Sequence, residues 1–412
     1  MNENVKLTDA EIEKLMDASN RPTKAEIVSE DAVSDKKLRN FLVIGCGDGG
    51  CNIASQIKQA VPFVKVIAYN TTERAMDRLH SNINIVPLKL GSKTEKAEDG
   101  SGKKRDYSQA VLKQGSYKQI LAKAAEYCNE DDSIEYVLIT TTTDGGTGGG
   151  VSPMIAKFIH DNLQLPTIIL GVYPSLTEDA SAMYNVMCWQ SEVEKINLPY
   201  IVLSNQTNSD KMNKLLVHNI VNQQAAEIVR ILTGAPFGNT NISAVDNRDM
   251  YMLLGTMTGR ISVIGSTDKL PVGKSVDDYL IERFEKSQVV APANVGGLAL
   301  FVKGPTDMIS KADTSLSKFC AVYGMPKVKY IHIEESNDIY IAVVCTGCSE
   351  PAENLAMFRQ RYDEVMDGFN TIASVVNQYK EGMESPMSGG AYQTKRPKFD
   401  ASSEINTSAL DL

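Results

Sequence analysis

Five glycines and one threonine fill residues 145–150, inside the stretch VLITTTTDGGTGGGVSP that spans 137–153. An apolar run with four threonines leads into them, and a helical pattern follows. Glycine weakens a strand or a helix by up to about 1 kcal/mol per position, so a backbone this bare implies a group that must come close. The start of a helix offers unpaired N–H groups and the positive end of the helix dipole, which suits an anion. Thr147 adds a hydroxyl donor. A tight strand–helix turn would need one or two glycines rather than five. Two further glycine loops sit in the first half of the chain. Gly45-Cys46-Gly47-Asp48-Gly49-Gly50-Cys51-Asn52 follows an apolar run and fits G-x-G-x-x-G, and Gly100-Ser101-Gly102 leads into Lys103, Lys104 and Arg105. Three such loops on one sheet point to phosphate. Lys103 and Arg105 would supply charge to its terminal group, the alternative being a solvated basic loop.

A dinucleotide fold would place an acid at the end of the second strand to hold a ribose. Here that strand ends in Asn70-Thr71-Thr72. Gly273-Lys274-Ser275 lacks the glycine five residues earlier that a Walker loop requires. Asp48, Glu73 and Asp144 are the carboxylates near the glycine loops. Asp246 and Asp249 stand three apart, on one face of a helix start. That pair reads either as chemistry or as a cap for a helix over Arg248–Gly255. Cys345-Thr-Gly-Cys348 has no second pair, so a redox or metal role competes with two small residues ending a strand.

The elements that position these residues alternate. Strands are expected at Phe41–Ile44, Val64–Tyr69, Tyr136–Thr141, Thr167–Tyr173 and Tyr200–Ser204, with a helix from Asn52 and another over Tyr117–Cys128. Alternating strands and helices predict a parallel sheet covered on both faces. Ser209–Thr233 reads as one long helix stopped by Gly234 and Pro236. Beyond Gly259 come strands at Ile261–Ile264, Leu298–Val302, Tyr330–Ile333 and Ile339–Cys345, and helices at Asp277–Lys286 and Asp307–Tyr323. The expected organisation is an N-terminal extension (1–38) with a weak helix near Asp9–Ala18, a nucleotide-binding domain (39–208) and a central helix (209–234). A smaller α/β domain (235–352), a C-terminal helix (353–383) and a polar tail (384–412) follow.

Composition narrows the class. The chain is 42% hydrophobic and 23% charged, as a globular protein is, and its net charge of −9 gives no basic signature for nucleic acid. No apolar run reaches the roughly 18 residues of a membrane span. The N-terminal stretch MNENVKLTDAEIEKLMDAS has no apolar signal core. Seven cysteines without framework spacing read as free thiols in a reducing cytoplasm.

Taken together, these residues resemble the tubulin/FtsZ family of GTPases. The family's GGGTGTG-type run is read here as Asp144 to Gly150, with Asp144 in place of the first glycine. Gly45–Asn52, Asn70–Thr72 and Gly100–Arg105 resemble its other nucleotide loops. The stretch 174–196, with Thr177-Glu178-Asp179, Asn185 and Cys188-Trp189, is most similar to the plasmid- and phage-encoded TubZ branch.

The resemblance covers about residues 39–380. It implies an α/β fold with a Rossmann-like parallel-sheet GTPase domain, a long central helix and a second, smaller α/β domain. It implies GTP and GDP as ligands, with Mg2+ bridging phosphate oxygens. Gly47, Asp48, Gly49, Gly50, Asn52, Asn70, Thr71, Thr72, Gly100, Ser101, Gly102, Lys103, Arg105, Gly145, Gly146, Thr147, Gly148 and Gly149 would bind nucleotide. Glu178 and Asn185 would lie near the ribose and Asn205 against the guanine edge, where its amide can both donate and accept. On the long helix the base-contacting candidates are Asn219 and Asn222, with Val221 and Ala225 at the simplest alignment.

Asp246 and Asp249 match the family's Asp-x-x-Asp loop, which enters the pocket of the next subunit; Ala244 replaces the family's Asn. The implied product is a head-to-tail homopolymer that moves or positions plasmid or phage DNA. The tail, with its basic Lys395–Lys398 cluster and the mixed acidic and apolar stretch Phe399–Leu412, would contact a DNA-bound adaptor or a neighbouring subunit, so that DNA is reached through a partner. Neither direct base reading nor a membrane is implied. An FtsZ-type division scaffold is the alternative, and a nicotinamide-dependent oxidoreductase a distant one.

Overall fold

The computed structural model describes residues 38–72, 79, 83–87, 100–206, 213–237, 244–266, 275, 278 and 295–383, without the side chains of 84–87 and 371–383. The expected helix near Asp9–Ala18, Glu73, nearly all of the helix Asp277–Lys286 and the tail from 384 lie outside the described residues.

In chain order the strands are β1 (Asn40–Cys46), β2 (Lys65–Asn70), β3 (Asn84–Pro87), β4 (Ile134–Thr142), β5 (Thr167–Tyr173) and β6 (Pro199–Ser204). β7 (Gly259–Ser266), β8 (Gly297–Gly304), β9 (Val328–Glu335) and β10 (Tyr340–Cys348) follow. They form one sheet in the order β3-β2-β1-β4-β5-β6-β7-β10-β8-β9. From β3 to β7 every neighbouring pair is parallel. β10 runs antiparallel to both β7 and β8, and β9 is parallel to β8. The strands of the expected smaller domain join the sheet where Pro199–Ile201 pairs with Gly259–Ile261.

Strands of a parallel sheet are buried on both faces, so they read as apolar runs without alternation. In β1, Phe41 and Val43 enter one core and Leu42 and Ile44 the other, all fully buried. The first core is covered by α1 (Gly47–Ala60), α6 (Lys214–Thr233) and α7 (Asn247–Gly255), through residues such as Ile53, Val221 and Leu253. The second is covered by α2 (Arg105–Val111), α3 (Tyr117–Glu130), α4 (Gly146–Leu163) and α5 (Ala180–Ile196). β8 and β10 bury a third cluster under α9 (Ala312–Tyr323).

α6 holds the scaffold together. The Asn213 side chain caps its start by accepting from Leu216 N–H, and Gly234 (φ 78°) ends it. Its 20 residues rise roughly 30 Å, enough to carry the chain back from the end of β6 to the opposite edge of the sheet. There Arg39, just before β1, donates from its backbone N–H to Thr233 O (3.1 Å) and from Nε to Leu232 O (2.7 Å).

Three local features depart from the sequence reading. β3 is an added edge strand. The helix expected over Asp307–Tyr323 is two, α8 (Thr306–Ile309) and α9; at the junction the Ser310 hydroxyl takes the Asp307 carbonyl and Lys311 N–H turns to Met308 O (3.2 Å). α3 is preceded by α2 and a wide turn that contains Gly115 at φ 129°. The C-terminal helix, α10 (Ala352–Met383), crosses the division between two compact units at Val365/Met366.

The single tryptophan, Trp189, is fully buried against β5. It packs edge-on to Tyr173 and donates from Nε1 to Ser152 Oγ (3.1 Å). A Cβ at Gly171 would stand 2.5 Å from the indole. Gly171→Ala is therefore expected to cost about 1–3 kcal/mol through overpacking, read as a lower urea midpoint by Trp189 emission.

Candidate functional site

In a parallel sheet the loops that leave the strands' C-terminal ends share one edge, and ligands bind there. α1 starts at Gly47, directly after β1, and α4 starts at Gly146, after β4. Neither N-cap residue, Cys46 or Gly145, supplies a side-chain cap, so the first N–H groups of both helices are left for a ligand. Between them lies a cavity. The β1 loop lines it with Gly47, Asp48 and Gly49, and the β2 loop with Asn70, Thr71 and Thr72. Gly100, Ser101 and Lys103 come from the third loop, and Thr142, Gly145, Gly146, Thr147 and Gly148 from the end of β4.

The glycines let these backbones touch. Gly47 has φ 70°, and a Cβ on it would lie 2.7 Å from Gly148 N. A Cβ on Gly146 would lie 2.5 Å from Lys103 C and 2.6 Å from Lys104 N. Gly50 and Gly149 serve another purpose: they pack their helices onto the Thr140 and Thr143 carbonyls, outside the lining. Gly102 adopts φ 56° in the third loop without lining the cavity.

The side chains around the cavity are pre-ordered. Thr71 Oγ1 and Thr147 Oγ1 share a hydrogen bond of 2.8 Å. Asn70 donates from Nδ2 to Asp48 Oδ1 (2.7 Å) and accepts from Thr71 N–H (2.8 Å). Lys103, at φ 63°, reaches Asp179 Oδ2 at 2.8 Å and Glu178 Oε2 at 3.7 Å. Burial works against its charge, but the hydrogen bond to Asp179 and the charges of Asp179, Glu178 and Asp144 outweigh it, holding the ammonium above its usual range. Asp144 is buried enough to push its carboxyl up.

Three sequence assignments change here. Arg105 carries no charge into the cavity: its guanidinium is buried beneath the first turn of α4. Nη1 donates to Gly149 O (2.6 Å) and Asn185 O (3.3 Å), and Nη2 pairs with Glu192 (2.5 Å). The Asn185 amide is also spent within the scaffold, donating to Lys103 O (3.1 Å) and Asp144 O (2.8 Å) and so tying the third loop to the β4 loop. Asn52 is exposed on α1, away from the lining.

A second cavity adjoins Glu178. Ser175, Thr177 and Glu178 line it from the β5 loop, Asn205 from the end of β6, and Lys214, Val217 and His218 from α6. Asn205 Oδ1 is a buried acceptor without a hydrogen-bond partner, an orphan that a donor on a ligand would satisfy. Glu178 also pairs with Lys214. Asn219 and Asn222 do not line either cavity; Asn219 is exposed and Asn222 half-buried. The spacing 214, 217, 218 shows the phase of the helix face that is presented, which the search for an amide missed. Burial first, and then the Lys214 charge, lower the His218 pKa, which favours the neutral ring.

Residues 40–213 match the model of the Tubulin/FtsZ family, GTPase domain. This stretch is a Tubulin/FtsZ GTPase domain. Cell division protein FtsZ of Aquifex aeolicus is 26% identical over 267 residues, which are 61% of this chain and 67% of that protein. Tubulin-like protein TubZ of Clostridium botulinum C phage is 28% identical over 165 residues, 39% of this chain and 42% of TubZ. Among solved structures, the GTPγS-form protofilament of Bacillus thuringiensis serovar israelensis TubZ aligns with a TM-score of 0.64 at 15% identity, covering 84% of this chain and 96% of that one. That likeness is one of fold.

The first cavity lies within residues 40–213, the second takes Lys214, Val217 and His218 from just beyond them, and Asp246 and Asp249 fall well outside. Asp246 caps α7 by accepting from Asp249 N–H (2.8 Å), and Asp249 accepts in return from Asp246 N–H (3.2 Å). The capping reading is therefore correct, and each carboxylate uses one oxygen for it. The pair sits at the N-terminal edge of the sheet: the neighbouring Asn247 donates to Glu135, the second residue of β4 (3.3 Å), and α7 ends against Pro166, just before β5. Thr142, at the far end of β4, lines the first cavity. A strand of that length spans roughly 25 Å.

Cys345 and Cys348 are both buried within β10, and burial pushes the Cys348 thiol up to about 12, against thiolate chemistry. Among the described residues no cluster of His, Cys, Asp and Glu could hold a metal by itself, and no helix is long and apolar enough to cross a membrane.

Because the third loop lies on Gly146, Gly146→Ala should lift that loop away. It is expected to weaken inorganic tripolyphosphate binding by about tenfold, equivalent to about 1.4 kcal/mol, in titration calorimetry. Displacing that backbone is also expected to cost about 1–3 kcal/mol of stability, offset only in part by alanine's helix preference.

Proposed function

We propose that this chain is a polymerising GTPase that binds GTP between the helix N-termini of one subunit and hydrolyses it with Asp246 and Asp249 of the next. The observation that carries this reading is the placement of the two halves at opposite edges of the sheet. A rigid strand length separates them, so no movement of side chains within one subunit can unite them. Head-to-tail stacking does so and repeats without closing, which makes a filament.

In this reading the N–H groups of α1 and α4 and the hydroxyls of Thr71 and Thr147 bind the phosphates, and Lys103 supplies positive charge. Glu178 faces the ribose, and Asn205 Oδ1 accepts from the guanine edge. His218, which lines the same cavity, offers a ring to the base. Asp48 is the carboxylate on the phosphate lining, oriented by Asn70. It suits Mg2+, which usually keeps several waters and takes one or two carboxylates plus substrate phosphates. When bound, the ion neutralises charge on the phosphates. Asp246 and Asp249 of the neighbour orient and deprotonate the attacking water. The cargo we assign, plasmid or phage DNA reached through an adaptor, is supported by the TubZ-like stretch 174–196 and by the net charge of −9, which disfavours direct DNA binding.

Asp246→Asn keeps the cap and removes the charge. It is expected to leave polymer in the pellet and to lower phosphate release by at least about 100-fold, the scale of a lost general base. In the unaltered chain the rate per subunit should show a threshold in protein concentration. A constant rate from the lowest concentration, with nothing sedimenting, would sink the shared-site mechanism.

Asp249 has its pKa raised by burial, against the hydrogen bond from Asp246 N–H and reinforced by the Asp246 charge. Hydrolysis needs the ionised form. The acid limb of the pH–rate profile is therefore expected above the ordinary aspartate value of about 3.9, with activity lost as pH falls through it.

A further inference from the structure

Leu176 stands two residues before Glu178 in the loop from β5 to α5. Its N–H donates to Gln206 Oε1 at 2.8 Å, and its carbonyl accepts from Arg361 Nε at 3.1 Å. Two side chains remote in sequence thus hold the two polar backbone groups of one residue. Ser175 Oγ also donates to Gln206 Oε1 (3.3 Å), and Glu178 N–H closes a turn onto Ser175 O (3.1 Å). The turn cannot shift without breaking one of these bonds, and Glu178 rides on it. Gln206 directly follows Asn205, so the same side chain links the two sides of the second cavity.

α10 packs on the sheet domain through Asn354, Phe358 and Arg361, spaced by four and three residues, and through Tyr362 against Tyr184; Arg361 is the one of these seen to bond to this loop. Asn354 donates to Glu350 Oε1 (2.9 Å), and Glu350 pairs with the buried Arg260 of β7. Phe358 is buried and packs edge-on against Tyr173, whose carbonyl accepts from Asn205 N–H (2.9 Å). Arg361 is itself steadied by Glu364 (3.2 Å). A charged donor on a loop carbonyl is stronger than a neutral one, and the loop it fixes is half-exposed from Ser175 onward, anchored by Leu176 against the second core.

We propose that Arg361 is a positioning residue of the nucleotide site: it fixes the loop that carries Glu178, and thereby couples docking of the C-terminal helix to nucleoside binding. This rests on the reading of the cleft as a guanine-nucleotide site. Coupling is reciprocal, so bound nucleoside holds the helix as firmly as the helix holds the loop.

The test uses the full chain, with Arg361→Ala and Arg361→Lys. Titration calorimetry measures GDP and inorganic tripolyphosphate, of which the second engages the glycine loops alone. Arg361→Ala is expected to weaken GDP about tenfold and to leave tripolyphosphate unchanged, with Arg361→Lys recovering part of the loss. Bound GDP should slow amide exchange across 352–365 in the unaltered chain, and less so in Arg361→Ala. Unchanged GDP affinity in Arg361→Ala, or equal weakening of both ligands, would overturn the inference alone. An unaltered chain that binds tripolyphosphate but not GDP would remove the guanine-nucleotide reading and this inference with it.

Discussion

Backbone contact between the starts of α1 and α4 is the constraint on which the rest depends. Gly47 meets Gly148, and the third loop lies on Gly146. Side chains at these points would hold the helices apart and remove the place where two sets of unpaired N–H groups face one cavity. The strands beneath, β1 buried throughout and β4 buried except at Glu135 and Thr142, supply the rigidity that makes such an approach reproducible. Buried polar groups then lock the loops: Arg105 under α4, and Asn185 between the third loop and the β4 loop. These residues bind no phosphate in our reading. They hold its donors still, and preorganised donors are what electrostatic stabilisation needs.

The polarity of the parallel sheet has a second consequence. All loops that follow strands lie on one edge, so the return path of α6 must deliver the next segment to the other. Capping then fixes α7 there, with Asp246 and Asp249 bonded to each other's backbone. In our proposal the fold separates binding from hydrolysis, and contact between copies reunites them, which would tie turnover to assembly without a dedicated regulatory domain.

Much of the fold was legible because its signals are local or periodic. The runs at Phe41, Thr167 and Leu298 are apolar without alternation, as doubly covered strands must be, and each became a strand. Asp246 as a cap and Gly234 as a stop rest on backbone chemistry within a few residues. β3 was missed because its four residues (Asn84–Pro87) carry little pattern, and edge pairing is a tertiary event. The break between α8 and α9 is marked by one hydroxyl taking one carbonyl, which helical periodicity does not register.

By itself, the sequence determined that two glycine loops close strands of a parallel sheet and that a carboxylate pair opens a later helix. These follow from conformational freedom, hydropathy and capping, all properties of short segments. Only the tertiary structure decided that Lys103 faces the cavity while Arg105 is buried beside Glu192, since two neighbours in a loop are assigned by what packs against each. It also decided that Lys214 and His218, rather than Asn219 and Asn222, face the second cavity, because the phase of a helix is set by the core it covers. The distance between Asp246 and the glycine loops belongs to the same class. It is fixed by the length of β4, and no spacing along the chain encodes it.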